Sequence, residues 1–214
     1  MKIQALHDFD DADYSKEWAE KFKPTSPRIK LFETILAQIL NHTGETSNIL
    51  ELGIGPGFLA SYILERLPQI NYEGLDFSES MLEIAAERTK ENKERIDFTK
   101  ADLINTDWTK NLKRTPDIVV STWALHDLFE KKNIYNVYKK SFEILPEGGL
   151  LLNGDFIKPE ESTHEYEGGR IKPSEHLEML KTAGFNNAEC LEEFEKSVEN
   201  PTTANNYACI KATK

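Results

Sequence analysis

The chain is poor in the features that would place it outside ordinary globular proteins. Of 214 residues only two, Cys190 and Cys209, are cysteine. Neither stands in a C-x-x-C pair or near a histidine at zinc-ligand spacing, so no disulfide framework or structural zinc is expected and both thiols read as reduced. No apolar run is long enough to span a bilayer. The first residues, Met1 to Asp8, turn acidic before an apolar signal core could form, so a cytoplasmic location is expected, with neither secretion nor membrane association. Positive charge is in deficit: 26 Lys and Arg against 37 Asp and Glu leave a net charge of −11, which opposes binding to a nucleic-acid backbone or an anionic membrane. No fixed-period repeat and no low-complexity stretch is visible.

What is present is a self-sufficient core. With 39% apolar residues, a chain of this length buries about 70% of the surface its unfolded form exposes, and it reads as one domain. Residues 1–45 form a helical preface. Tyr14, Trp18 and Phe22 recur at helical spacing before Pro24; Ser26 is placed as a cap with Pro27 at the first helical position, followed by an apolar stripe from Leu31 to Leu40.

From residue 46 to 157 short apolar runs alternate with helical periods, the pattern of βαβ units and a mainly parallel sheet in an α/β fold. Strands are predicted at 49–52, 70–75, 96–99, 117–121 and 149–153. Helices are predicted to start near Phe58, Ser78 and Lys132, with a weaker one over 105–112. In 158–214, a polar stretch with Gly168 and Gly169 reads as a flap. Ser174 is placed to cap a helix that Gly184 ends. The last segments, 187–194 and 207–213, are joined too briefly for a parallel crossover and should pair as an antiparallel hairpin.

The sharpest signal is Glu51-Leu52-Gly53-Ile54-Gly55-Pro56-Gly57-Phe58 at a strand end opening into a helix. Glycines there allow positive φ and close approach of a ligand to the backbone. A dinucleotide fingerprint would place its third glycine where Phe58 stands, and a P-loop would need Gly-Lys-Ser/Thr, so pyrophosphate binding is disfavoured. Asp76 ends the second strand 19 residues past Gly57, where a carboxylate can accept both hydroxyls of a ribose. Asp102 and Leu103 follow the third strand, where they can frame an adenine. This set describes one nucleoside.

These residues resemble the class I S-adenosylmethionine-dependent methyltransferases. The E-x-G-x-G-x-G turn, Asp76, the Asp102-Leu103 pair and Pro146-Glu147-Gly148-Gly149 match that family's pattern. The resemblance implies a seven-stranded Rossmann-like sheet in the order 3-2-1-4-5-7-6 with strand seven antiparallel. It implies S-adenosyl-L-methionine as cofactor, with Gly53, Ile54, Gly55 and Gly57 beside its methionine portion and Phe77 and Met81 over the adenine. Glu51, Ser121 and Thr122 complete the expected cofactor set.

The acceptor pocket is expected at the carboxyl ends of the strands. Trp123 and Asp155 lie in the loops after strands four and five, and Trp18 in the preface; all three are read as substrate-binding. His126 and Tyr14 are the candidate catalytic residues. Ordinary structural readings stand beside these: His126 as a bonded partner at a helix start, Met81, Tyr14 and Trp18 as packing. No metal site is expected, because Phe156 follows Asp155 where a metal-dependent subfamily would place a second oxygen ligand. The expected activity is methyl transfer to a small-molecule acceptor at O, N or S. A silent nucleoside-binding protein and a nicotinamide oxidoreductase are the alternatives.

Overall fold

The computed structural model describes residues 2–3, 7–42 and 47–214. Both ends of the predicted preface, 1–45, thus reach residues outside this set. In chain order the elements are β1 (Lys2–Ile3), α1 (Ala12–Lys21), α2 (Ser26–His42), β2 (Ser47–Leu52), α3 (Phe58–Leu64), β3 (Ile70–Asp76), α4 (Glu79–Arg88), β4 (Ile96–Lys100), β5 (Ile118–Thr122), α5 (Lys131–Ile144), β6 (Leu150–Phe156), β7 (Glu165–Tyr166), α6 (Pro173–Ala183), β8 (Asn187–Phe194) and β9 (Tyr207–Thr213).

Seven strands form one sheet in the order β4-β3-β2-β5-β6-β9-β8. Counted within the sheet this is 3-2-1-4-5-7-6. β9 runs antiparallel to both β6 and β8, and the other pairings are parallel. The terminal hairpin has the expected bounds, with a register shift between Cys190 and Glu192.

Period-two alternation sorts the strands' side chains between two apolar layers. Ile49, Ile118, Val120, Leu150 and Leu152 face Leu31, Phe32, Ile35 and Ile39 of α2 together with α3 and α4. Leu50, Val119 and Leu151 face the other way, onto Ile134 and Val137 of α5 and Leu180 of α6. Because both faces are covered, every residue of β6 is buried, which is why the central strands read as continuous apolar runs. The α2 helix shares the sheet's core. A Cβ on Gly154 would lie 2.8 Å from Leu31.

Three local expectations are corrected. Ser26 is the first helical residue of α2, not a cap outside it, and the Thr25 carbonyl accepts the Ile29 N–H. Ser174 lies inside α6: Pro173 starts that helix, and Glu175 accepts the Lys172 N–H while the Ser174 N–H goes to Glu160. The weak helix at 105–112 is a single 3₁₀ turn, Trp108–Asn111, anchored by the fully buried Trp108. Gly184 ends α6 at φ 116°, as expected of a left-handed terminator. The β1/β7 pair has only two residues per strand and gives no periodic signal.

Candidate functional site

The carboxyl ends of β2 to β6 open into one cavity of about 330 Å³. Its floor is the glycine turn. Gly53, Gly55 and Gly57 all have positive φ, at 70°, 51° and 74°, but they serve different ends. A Cβ on Gly53 would lie 2.4 Å from Ala124, and one on Gly57 3.0 Å from Ala85, so these two allow close packing. A Cβ on Gly55 would meet nothing within 4 Å. Its missing side chain leaves room above the floor.

Asp76 is held rigidly beneath this turn. Its Oδ2 accepts the Gly55 N–H at 2.8 Å and its Oδ1 the Ser78 N–H at 3.0 Å. Burial pushes its pKa up, and the backbone N–H groups of Ser78, Gly55 and Phe77 work against that rise. Ser78 caps α4 and also donates to the Phe9 carbonyl at 2.5 Å, tying the segment before α1 to the Asp76 side of the cavity.

Of the residues singled out from sequence, Gly53, Ile54, Gly55, Asp76, Phe77, Met81, Asp102, Leu103, Thr122, Trp18, Trp123 and His126 line the cavity. Glu51, Gly57, Ser121, Tyr14 and Asp155 do not, and each has a structural reason. The Ser121 hydroxyl donates to the Leu52 carbonyl at 2.8 Å. Gly57 starts α3 against Ala85. Tyr14 stands behind the wall residues His7, whose Nδ1 is 2.8 Å from its hydroxyl, and Phe9, whose ring centroid is 5.9 Å from its own. Asp102 lines the cavity, but its carboxylate is turned into its own loop, where it accepts the Ile104 and Asn105 N–H groups and the Asn105 amide.

Glu51 lies behind the floor, 1% exposed. Tyr72 and Thr122 donate to it at 2.8 and 3.4 Å, yet burial pushes its pKa up to about 8. It is therefore mostly protonated at neutral pH. Between its unfolded value near 4.3 and 8, the folded state holds an extra proton, so its contribution to stability falls as pH rises through that window. Glu51→Gln is expected to match the wild-type melting temperature most closely near pH 5, to gain on it as pH rises and so to flatten this decline, measured by thermal melts from pH 5 to 8.

The acceptor end is built on a strained turn. β5 passes into Trp123 at φ 50°, then a 3₁₀ turn, Leu125–Leu128, then Phe129 at φ 59°. Positive φ at two bulky residues is costly and persists where the surroundings enforce it. Here they present His126. Asp155, 2% exposed at the end of β6, accepts the His126 backbone N–H at 2.9 Å and lies 2.7 Å from its Nδ1. Asp127 Oδ1 stands 3.4 Å from Nε2. Burial lowers the imidazole's pKa, but the two carboxylates outweigh it and the net shift is upward. Asp155 is thus a buried orienter of His126, and its oxygens are turned to the protein, away from the mouth where the sequence placed it.

The segment read as a flap is packed under this turn. Glu167 and Arg170 are 2% exposed and paired at 2.6 Å, and a Cβ on Gly169 would fall 1.8 Å from the His126 carbonyl. Gly169→Ala is expected to displace the His126 turn. Overpacking of this kind costs about 1 to 3 kcal/mol, so the melting temperature should fall in thermal melts.

The α1 helix forms the lid side. Its buried face is Ser15 and Ala19, so the aromatic stripe is not a core stripe: Trp18 and Phe22 face the cavity, 4.9 Å apart. Sequence reasoning passed over His7, Phe9, Arg28, Phe32 and Arg170, which also line it. Among the described residues, no cluster of three or more His, Cys, Asp or Glu is placed to hold a metal ion.

Residues 49–149 match the family described as "Methyltransferase domain". Over 129 residues, 59% of this chain, the sequence is 27% identical to malonyl-[acyl-carrier protein] O-methyltransferase of Bacillus cereus, covering 45% of that protein. Over 120 residues, 56% of this chain, it is 31% identical to trans-aconitate 2-methyltransferase of Acidovorax ebreus, covering 40% of it. The chain thus spans less than half the length of these curated relatives. The N-methyltransferase NodS of Bradyrhizobium japonicum, solved with S-adenosyl-L-homocysteine, superposes with a TM-score of 0.65 at 14% identity, covering 91% of this chain and 90% of that one. With the sheet order and the glycine-floored cavity, these matches give the chain a Rossmann-like methyltransferase fold, with a methyltransferase domain over residues 49–149.

Proposed function

We propose that the protein transfers a methyl group from S-adenosylmethionine to a small-molecule acceptor at O, N or S. The observation that carries this reading is one cavity with a glycine floor and a rigid strand-end acid at one end and a buried His126–Asp155 pair at the other. The floor fits the cofactor, because Gly55 leaves space that any other residue would fill and Asp76 offers acceptor-only oxygens to a diol.

When bound, S-adenosylmethionine supplies a methyl carbon on a sulfonium, open to in-line displacement. Asp76 would hold the ribose, while Phe77, Met81 and Leu103 would enclose the adenine. With its Nδ1–H donated to Asp155, His126 keeps Nε2 as a proton acceptor and takes the proton that an acceptor heteroatom loses on methylation. Asp127 steadies the resulting imidazolium. Trp18, Phe22 and Phe32 exclude water and hold the acceptor in line, and such orientation supplies up to about 7 to 11 kcal/mol.

Calorimetry with S-adenosylhomocysteine and labelled-methyl transfer to a metabolite panel test the reading. Micromolar binding with turnover is the expected result. No binding by the folded protein overturns it, and binding without any turnover favours a silent nucleoside-binding role.

A further inference from the structure

An acidic chain has placed inside this cavity a cation with no ion-pair contact among the described residues, Glu195 acting on it only from beyond contact distance. Arg28, on the first turn of α2, lines it half-buried. Its guanidinium lies 5.2 Å from the Trp123 ring centroid, 5.8 Å from that of Phe156 and 6.0 Å from that of Phe22. Among the described residues it has no hydrogen bond and no carboxylate within ion-pair distance. A second guanidinium over the same Phe156 ring, that of Arg170 at 4.3 Å, shows the contrast, since Glu167 neutralises it.

Among the described residues, three more buried donor atoms on the cavity wall have no acceptor: the indole Nε1 atoms of Trp18 and Trp123, and Nη1 of Arg170 itself. Arginine and tryptophan side chains only donate, whereas a carboxylate only accepts. Desolvated cations and unmet donors are unfavourable, and an anionic group entering here relieves both.

This donor set sits beside the glycine floor, on the strands next to it. Trp123 follows β5 and Phe156 ends β6, while the glycine turn follows β2. β5 lies between β2 and β6, and adjacent strands are about 4.8 Å apart. Resting on the methyltransferase reading above, we infer that the acceptor is an apolar carboxylate whose anionic group is held by Arg28 with the Trp18 and Trp123 indoles. Arg28 then determines specificity, while His126 serves the atom that is methylated.

The cofactor also bears a carboxylate, so the test distinguishes the two sources. Protein saturated with S-adenosylhomocysteine is titrated with benzoate, salicylate and phenylacetate and with their amides, read by calorimetry. Wild type should bind at least one acid 10-fold or more tighter than its amide. Arg28→Gln should abolish that preference while keeping the melting temperature and S-adenosylhomocysteine affinity, and Arg28→Lys should restore part of it. Three results overturn the inference: no acid preferred over its amide, a preference that survives Arg28→Gln, or a variant that loses S-adenosylhomocysteine but keeps 5′-methylthioadenosine, which lacks the amino-acid portion. Failure of S-adenosylhomocysteine to bind wild type would instead overturn the underlying methyltransferase reading.

Discussion

His126→Gln is expected to lower turnover by about 10²- to 10⁴-fold, the usual contribution of a positioned base, while S-adenosylhomocysteine affinity stays within a factor of two. The separation follows from position. His126 stands on the turn after β5, bonded to Asp155 at the end of β6, and its ring and backbone N–H hydrogen bonds among the described residues run to Asp155 and not to the Gly53 turn or Asp76.

The pH profile should report the same group. Asp155 and Asp127 together hold the imidazole above its ordinary value of about 6.5 despite burial. A base works when deprotonated, so kcat/KM should rise with pH along an acid limb centred above 6.5. Asp155→Asn removes the nearer charge and should move that limb downward; His126→Gln should erase it. A parallel loss of melting temperature and turnover, with no change in the shape of the profile, would mark His126 as structural.

The fold was legible because its signals are local and repeated. The runs at 70–76 and 150–156 are buried on both faces since helices cover both sides, and the closing hairpin is set by a connection too short to cross over. The glycine floor of the cavity was legible for a related reason: Gly53, Gly55 and Asp76 lie at fixed offsets from strand ends, so one dimension suffices to place them. The acceptor end is different. Arg28 and Phe22 come from the preface, Arg170 from the loop before α6, and Trp123 is turned by a positive φ that its residue type disfavours. Only the packed chain brings them together. Asp155 shows the limit most clearly. Its place after the predicted strand at 149–153 suggested a carboxylate at the mouth, but the strand runs on to Phe156, so Asp155 lies within it, and the His126 backbone N–H draws the side chain inward.

Asp76→Ala is expected to weaken S-adenosylhomocysteine binding by about 10-fold or more, since each charge-assisted hydrogen bond to a carboxylate contributes roughly 1.5 to 3 kcal/mol. Two effects act in the same direction. The ribose loses its acceptors, and the Gly55 and Ser78 N–H groups lose theirs, at 2.8 and 3.0 Å, so the turn itself loosens. Asp76→Asn separates them. The amide oxygen can keep one backbone N–H, but the amide nitrogen faces the other as a second donor, so a substantial loss should persist even in a well-folded variant. Burial pushes the Asp76 pKa up, and protonation removes acceptor capacity. Wild-type affinity should therefore fall in acid at a higher pH than an exposed aspartate would dictate, and the alanine variant should show no such limb. Calorimetry across pH 4 to 8 measures both. Unchanged affinity in a folded Asp76→Ala protein would mean that the strand-end acid supports the turn and does not touch the nucleoside.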